Sequence, residues 1–155
     1  MKKKIIITGG LGYIGTEICK LYSGVSWNNE IIVIDNRFIS ERVSQIRNWN
    51  MQFVQGDILD KELINKYCKD ADVVHHLAGI TDVPRTKSES SEEKDRKIKL
   101  TAKEGTQNIL DAIDDKCKII FPSTHVVYEG IEKVKNNISE DEDLKPVLSY
   151  SSSKA

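Results

Sequence analysis

A glycine-rich turn directly after a β-branched run is the feature that most limits how this chain can fold. Ile5–Ile7 lead into TGGLGYIG, which spans Thr8–Gly15 and opens an apolar helical pattern. A strand that turns this tightly into a helix needs residues without a Cβ atom. The first N–H groups of that helix have no partner within it and lie at the positive end of its dipole. The pattern therefore predicts a strand-turn-helix unit that binds phosphate groups. The glycines that serve these ends are Gly9 or Gly10 at the turn, Gly12 at the ligand and Gly15 against the strand.

Short runs rich in Ile and Val alternate with longer helical patterns along the chain. The predicted strands are Lys4–Thr8, Ile31–Asp35, Gln52–Gln55, Asp72–Leu77 and Lys118–Pro122. The predicted helices are Gly12–Ser23, Ser40–Trp49, Lys61–Lys69, Ser91–Asp114 and one that begins near Ser149. Consecutive apolar residues indicate strands buried on both faces of a parallel sheet. With right-handed crossovers, the series predicts a Rossmann-type, doubly wound α/β fold with helices on both faces and strand order 3-2-1-4-5.

The longest helix pattern carries an apolar stripe along one face. Its members are Ile98, Ala102, Gly105, Ile109 and Ala112, at spacings of 4, 3, 4 and 3. This spacing is typical of an amphipathic helix that packs on a sheet, and the charged opening SESSEEKDRK is predicted to be a solvated face. A length of 155 residues fits one domain, over residues 1–155.

Composition and charge argue against several classes of function. The chain has 23 basic and 24 acidic side chains and a formal net charge of -1, so no nucleic-acid or anionic-membrane partner is predicted. The three cysteines, Cys19, Cys68 and Cys117, show neither zinc-site nor disulfide spacing, and no metal is predicted. No apolar stretch has the length of a signal or membrane segment. We expect a cytoplasmic protein.

An acidic residue follows the second predicted strand. Asp35 lies twenty residues after Gly15, at the end of IIVID. A carboxylate at that point accepts hydrogen bonds from both hydroxyls of an adenosine ribose and repels a 2'-phosphate. The spacing therefore favours NAD over NADP as the cofactor. Arg37 leaves the choice open, since a guanidinium two residues on is able to accommodate a 2'-phosphate.

Six motifs occur in the order expected for one known group of enzymes. They are TGGLGYIG at 8–15, QGDI at 55–58, HHLAG at 75–79, EGTQNIL at 104–110, FPSTHVVYEG at 121–130 and EDEDLKPVLSYSSSK at 140–154. Together they resemble the extended short-chain dehydrogenase/reductase superfamily, specifically its NAD-dependent nucleotide-sugar epimerases and dehydratases. The similarity covers the whole chain.

The resemblance implies a set of cofactor-binding residues. It comprises Gly9, Gly10, Gly12, Tyr13, Ile14, Gly15, Asp35, Asn36, Asp57, Ile58, Leu77, Ala78, Gly79, Tyr150 and Lys154. Asp57 would bond the adenine amino group, with Ile58 against the ring, and the segment 77–79 would line the ribose and pyrophosphate. Ile14 could equally belong to the core. His75 and His76 are interpreted as packing residues, and Gly105 as a site of close contact between helix and sheet.

The same resemblance implies three catalytic residues. Tyr150 and Lys154 are four residues apart, so they share a face of a helix. Tyr150 would remove a hydroxyl proton from the sugar while the adjacent hydride moves to the nicotinamide, and Lys154 would favour the tyrosinate and bond the nicotinamide ribose. Thr124, at the end of the fifth strand, would bond the substrate oxygen. The keto-sugar would then be reduced on its other face or first lose water or another group.

Two departures from the family pattern affect the interpretation. Ala102 stands where the family often has an asparagine that contacts the cofactor, and Ile80 and Thr81 select no subfamily. Epimerase, dehydratase, decarboxylase and reductase all stay open. Family members also continue well beyond the Tyr-x-x-x-Lys helix, so we expect an amino-terminal part of a longer enzyme, with C-terminal strands and the substrate domain missing.

Partners and alternative functions follow from the same comparison. A nucleotide sugar is the expected substrate of a full-length parent, and the long helix and the terminal helix are the expected contacts of a homodimer. The first alternative function is a non-catalytic NAD-binding module that senses or scaffolds. The second is an NADP-dependent reductase of a carbonyl compound that carries no nucleotide.

Overall fold

Strands and helices alternate along the chain, as predicted. The computed structural model describes residues 2–81, 87–132 and 136–155. The strands are β1 Lys4–Thr8, β2 Glu30–Asp35, β3 Gln52–Gln55, β4 Val73–His76 and β5 Lys118–Ile120. The α-helices are α1 Tyr13–Tyr22, α2 Ser40–Asn48, α3 Lys61–Cys68, α4 Glu92–Ala112 and α5 Ser149–Ser152. Short 3-10 helices over Ser23–Asn28, Lys87–Glu89 and His125–Tyr128 were not predicted, because so few residues carry no readable periodicity.

Local side chains and backbone angles explain several helix ends. Asp60 caps α3, its carboxylate accepting the N–H of Leu63 at 3.0 Å, which satisfies one of the unpaired donors at a helix start. Asn50 and Asp70 follow α2 and α3 with positive φ angles of 57° and 60°. The left-handed conformation ends a helix, and Asn and Asp tolerate it better than most residues.

The sheet has the predicted topology. All five strands are parallel and lie in the order β3-β2-β1-β4-β5, which confirms the Rossmann-type fold. Thr8, at the end of β1, is paired with Ile34 of β2 on one side and His76 of β4 on the other. The chain reverses its winding direction between β1 and β4, and the crevice beyond the strand ends there is where such sheets bind ligands.

The core lies on both faces of the sheet. Ile5 and Ile7 of β1 belong to a buried cluster that includes residues of α1 and α2. Ile6 belongs to a second buried cluster, with residues of α3 and Ile109 of α4. Consecutive side chains of a strand point to opposite faces, so three successive isoleucines contribute to two separate cores. This is why the strands are continuously apolar.

Contacts between Cα atoms group the chain into two compact units. Unit 1 comprises Met1–Gly79 and Glu104–Phe121, and it contains the whole sheet. Unit 2 comprises Ile80–Lys103 and Pro122–Ala155. The assignment of residues 1–155 to one domain stays a prediction. Of the helices that the structure describes, none is long and apolar enough to span a bilayer.

Candidate functional site

The turn after β1 is built around glycine contacts. Gly9 has a positive φ of 68°, and a Cβ atom there would lie 2.7 Å from the backbone nitrogen of Ala78. A Cβ on Gly15 would lie 2.5 Å from the carbonyl oxygen of Gly9. Both distances are too short for any side chain, so the turn packs backbone to backbone against the segment after β4 and against the first turn of α1. This is the arrangement that the glycine spacing predicts.

The start of α1 presents backbone donors. The first hydrogen bond of the helix joins the N–H of Thr16 to the carbonyl of Gly12 at 3.0 Å, so the N–H groups of residues 13–15 precede the helical ladder. Tyr13 is 85% exposed and Ile14 is 58% exposed. Ile14 is therefore not a core residue, and its contact with the cofactor stays a prediction. Donors and helix dipole together form a site suited to phosphate.

Asp35 faces the glycine turn from the end of β2. Its Oδ2 atom accepts the N–H of Leu11 at 2.9 Å, and its side chain is 3% exposed. Arg37 forms an ion pair with the same carboxylate, at 3.1 Å between Nε and Oδ1. The pKa of Arg37 is raised, because its hydrogen bonds to Asp35 and the charge of that residue outweigh partial burial. Asp35 thus lies beside the turn, as predicted. It forms an ion pair with Arg37, which the sequence indicated only as a nearby cation.

The ends of β2 and β3 carry a second acidic position. The amide of Asn36 donates to the Oδ2 atom of Asp57 at 3.0 Å, which joins two predicted cofactor residues. The side chain of Ile58 is 4% exposed and packs in the core. Its Cδ1 atom lies 2.3 Å from where a Cβ on Gly105 would be, which agrees with Gly105 as a point of close helix contact. The side chain of Ile58 thus belongs to the core, and its place against the adenine ring stays a prediction.

The segment after β4 lies against the turn. Thr8 holds it through two bonds, from the N–H of Leu77 to the Thr8 carbonyl at 3.2 Å and from the N–H of Ala78 to the Thr8 hydroxyl at 3.2 Å. Gly79 follows, and a Cβ atom at this position would meet nothing within 4 Å. The structure therefore brings the glycine turn, Asp35 and the segment 77–79 to the carboxyl end of the sheet within unit 1.

The two histidines at the end of β4 serve packing within unit 1. His76 lies between the hydroxyls of Thr8 and Thr106, at 3.1 and 2.9 Å. His75 bonds the hydroxyl of Tyr22 at 2.9 Å, and burial lowers the pKa of His75 and raises the pKa of Tyr22. Across the residues that the structure describes, no cluster of His, Cys, Asp and Glu could hold a metal ion.

The predicted catalytic residues lie in unit 2. Thr124 caps the start of the 3-10 helix His125–Tyr128, and its hydroxyl oxygen accepts the N–H of Val126 at 3.5 Å. That bond uses a lone pair and not the hydroxyl hydrogen, so it is compatible with donation to a substrate oxygen. Tyr150 lies in α5, and Lys154 follows its last turn. Burial lowers the pKa of Lys154.

Both ends of α5 are bonded to the segment that carries Thr124. Near its start, the Oε1 atom of Glu129 accepts the N–H groups of Val147 and Leu148 at 2.8 and 2.7 Å, and also the hydroxyl of Ser151. After its end, the hydroxyl of Ser123 donates to the carbonyl of Lys154 at 2.8 Å. Sequence reasoning missed Glu129 and Ser123. Their partners lie 18 to 31 residues away, and no local pattern marks such bonds.

The amino-acid sequence matches a known protein family. The profile of the 3-beta hydroxysteroid dehydrogenase/isomerase family matches residues 6–155. The chain belongs to this family. The family is one of the extended short-chain dehydrogenases/reductases, so the resemblance found in the motifs is confirmed.

Similar proteins in the family include enzymes of nucleotide-sugar metabolism. The chain is 34% identical over 145 residues to UDP-N-acetyl-alpha-D-glucosaminuronate decarboxylase of Bacillus cytotoxicus, a match that covers 92% of this chain and 42% of that protein. It is 34% identical to CDP-paratose 2-epimerase of Salmonella typhi, over 88% of this chain and 41% of that protein. UDP-glucose 4-epimerase from Brucella ovis, solved in complex with NAD, superposes with a TM-score of 0.75 at 28% identity, over 98% of this chain and 44% of that one.

The chain thus spans about two fifths of the length of the curated relatives that it matches. Their names do not point to a steroid substrate, although the family profile carries a steroid name. The residue roles inferred from the motifs stay predictions.

Proposed function

We propose that this chain is the NAD-binding part of a nucleotide-sugar epimerase or dehydratase that acts by transient hydride transfer. The observation that carries the proposal is the turn Gly9–Gly12. It leads into the start of α1, and its residue Leu11 donates its N–H to the carboxylate of Asp35. The NAD-bound relative of the same fold supports this cofactor, and the names of the two curated relatives support a nucleotide-sugar substrate.

The residues of unit 1 fit NAD. A Cβ atom on Gly12 would lie 3.0 Å from the Gly9 carbonyl oxygen, and a glycine there would let a pyrophosphate approach the N–H groups of residues 13–15. Those donors would hold the pyrophosphate. Asp35 would accept the adenosine ribose hydroxyls, and Asp57 with Asn36 would face the adenine. The segment 77–79 would line the other side of the dinucleotide.

The residues of unit 2 would transfer the proton of the substrate hydroxyl. The chemistry that NAD supplies when bound is reversible acceptance of a hydride. Tyr150 would take the proton of the sugar hydroxyl and later return it, while Thr124 donates a hydrogen bond to the same oxygen. Lys154 would stabilise the tyrosinate as a nearby cation and bond the nicotinamide ribose. Glu129 and Ser123 would hold α5 in place for this task.

Calorimetric titration with NAD tests the binding half of the proposal. The wild type should bind NAD, and Gly12→Ala should weaken binding at least tenfold, about 1.4 kcal/mol, because its methyl group would stand at the approach to the pyrophosphate. Gly24→Ala is the matched control, since a Cβ at Gly24 meets nothing within 4 Å. If the wild type binds no dinucleotide, or if both variants bind equally, the turn does not hold NAD.

Turnover tests the catalytic half. The chain with NAD would be incubated with UDP-glucose or UDP-N-acetylglucosamine, and products would be followed by proton NMR. Tyr150→Phe should reduce any turnover by about two to four orders of magnitude, because the hydroxyl that transfers the proton is lost.

A second candidate function is a non-catalytic NAD-binding module. NAD binding without turnover by this chain would support it, whereas turnover that depends on Tyr150 would exclude it.

A further inference from the structure

The carboxylate of Asp35 has its acceptor positions filled by this chain. Oδ1 accepts the backbone N–H of Arg37 at 3.0 Å and its Nε–H at 3.1 Å. Oδ2 accepts the N–H of Leu11 at 2.9 Å and Nη2 of Arg37 at 3.2 Å. A carboxylate offers about four acceptor sites. A ribose diol can therefore bond Asp35 only if one of these donors leaves.

The guanidinium of Arg37 is the donor that can leave. The N–H groups of Leu11 and Arg37 are backbone groups held in place by the turn and by the end of β2. The side chain of Arg37 is instead 54% exposed, and it places one N–H on each carboxylate oxygen, where the two hydroxyls of a ribose would donate. Half-exposed ion pairs are weak, so displacing this one should reduce ligand affinity only about twofold to fivefold.

We infer that Arg37 determines cofactor specificity at this site: it covers Asp35 until a ribose displaces it, and its charge lowers the preference for NAD over NADP. The inference rests on the proposed function, since it requires that Asp35 receives an adenosine ribose. Asp35 alone would repel a 2'-phosphate, but a guanidinium against it offsets that charge. Arginine is also the side chain best suited to bind phosphate through two parallel hydrogen bonds.

The position of the guanidinium supports this role. Its Nη2 atom lies 3.8 Å from the point that a Cβ on Gly12 would occupy, so the charge sits between Asp35 and the glycine turn. The neighbouring cation, Arg42, is bound differently, because its Nη1 atom donates to the carbonyl of Leu11. Arg42 thus supports the turn, and among the cations in the described part of the chain Arg37 is the one that pairs with Asp35.

Affinities for NAD and NADP, measured by calorimetry on four proteins, test the inference. In Arg37→Ala, NAD should bind about twofold to fivefold more tightly because Asp35 is uncovered, and the ratio of NAD to NADP affinity should rise at least tenfold, about 1.4 kcal/mol. In Arg37→Lys the charge stays, but the two parallel hydrogen bonds of the guanidinium are lost. NADP affinity should therefore lie between those of wild type and Arg37→Ala. Arg47→Ala removes an exposed cation of α2 and should leave the ratio unchanged.

The possible results separate this inference from the function on which it rests. An unchanged ratio in Arg37→Ala, with NAD bound normally, would overturn the role of Arg37 alone. A shift of equal size in Arg47→Ala would overturn it too, by showing a general effect of charge. No binding of either dinucleotide to any of the four proteins would contradict the proposed function itself. Arg37→Lys keeps a cation beside the buried carboxylate, so it still tests the inference if Arg37→Ala does not fold. Melting temperatures show whether both variants are folded.

Discussion

At the scale of single residues, close packing decides which substitutions this chain can tolerate. Gly105 of α4 shows this most clearly, because the side chain of Ile58 occupies the space in which a Cβ atom would lie. The contact joins the long helix to the core beneath β1 and β2. A glycine inside a helix normally lowers its stability, and here that cost is offset by the approach of the helix to the sheet.

Gly105→Ala should destabilise the protein by about 1 kcal/mol, since overpacking costs about 1–3 kcal/mol and the gain in helix propensity returns up to about 1 kcal/mol. The measurement is urea unfolding of the single variants and of the double variant with Ile58→Ala. In the Ile58→Ala background, which removes the overlapping atoms, Gly105→Ala should be neutral or stabilising. Additive effects would show that this contact does not limit the packing.

At the scale of elements, α5 depends on bonds made outside the helix. It has four residues, Ser149–Ser152, and a helix of one turn is not stable by itself. The carboxylate of Glu129 accepts two backbone N–H groups and the hydroxyl of Ser151 at the start of the helix. Burial raises the pKa of Glu129, but these hydrogen bonds outweigh it, and the pKa is lowered overall.

Glu129→Ala should loosen the start of α5 by about 1 kcal/mol, the usual cost of losing a side-chain cap. Hydrogen exchange at the amides of Val147 and Leu148 should accelerate about fivefold, and Glu129→Gln, which keeps an acceptor oxygen without the charge, should lie in between. Glu140→Ala, at an exposed glutamate of the same unit, is the control. Unchanged exchange in Glu129→Ala would show that the carboxylate does not hold this helix.

At the scale of the whole molecule, acid should act on the two units through different residues. In unit 1 the pKa of His75 is lowered from 6.5 by burial, and the Nδ1 atom of this side chain has no hydrogen-bond partner among the described residues. In unit 2 the pKa of Glu129 is lowered from 4.5. For both groups the unfolded chain binds the proton more readily than the folded one, so stability falls as the pH is lowered.

The loss caused by His75 should begin as the pH falls below about 6.5, and the loss caused by Glu129 should begin below about 4.5. Urea unfolding between about pH 8 and pH 5 follows the loss caused by His75 above the range of Glu129. The double variant Tyr22→Phe/His75→Leu removes both partners of the buried hydrogen bond. Its free energy of unfolding should therefore depend less on pH in that range. The control His125→Leu replaces an exposed histidine and should leave the pH dependence of stability as in the wild type. A wild-type profile that is flat down to pH ~5 would contradict the assignment.

The sequence by itself determined the strands, the helices and their order in the sheet, because periodic apolar residues and glycine turns are local signals. Strands such as Ile5–Ile7 are apolar at every position, and that alone indicates burial on both faces. The spacing from Gly15 to Asp35 predicted where a carboxylate would face the turn, as the bond from Leu11 to Asp35 shows.

Only the tertiary structure decided which hydrogen-bond partners the polar side chains have. The guanidinium of Arg37 could have extended into solvent, yet it covers the carboxylate of Asp35. Glu129 reaches backbone groups 18 and 19 residues away, and Tyr22 meets His75 across 53 residues. Such bonds depend on the distance and direction between elements that are remote in sequence, and no local periodicity encodes either quantity.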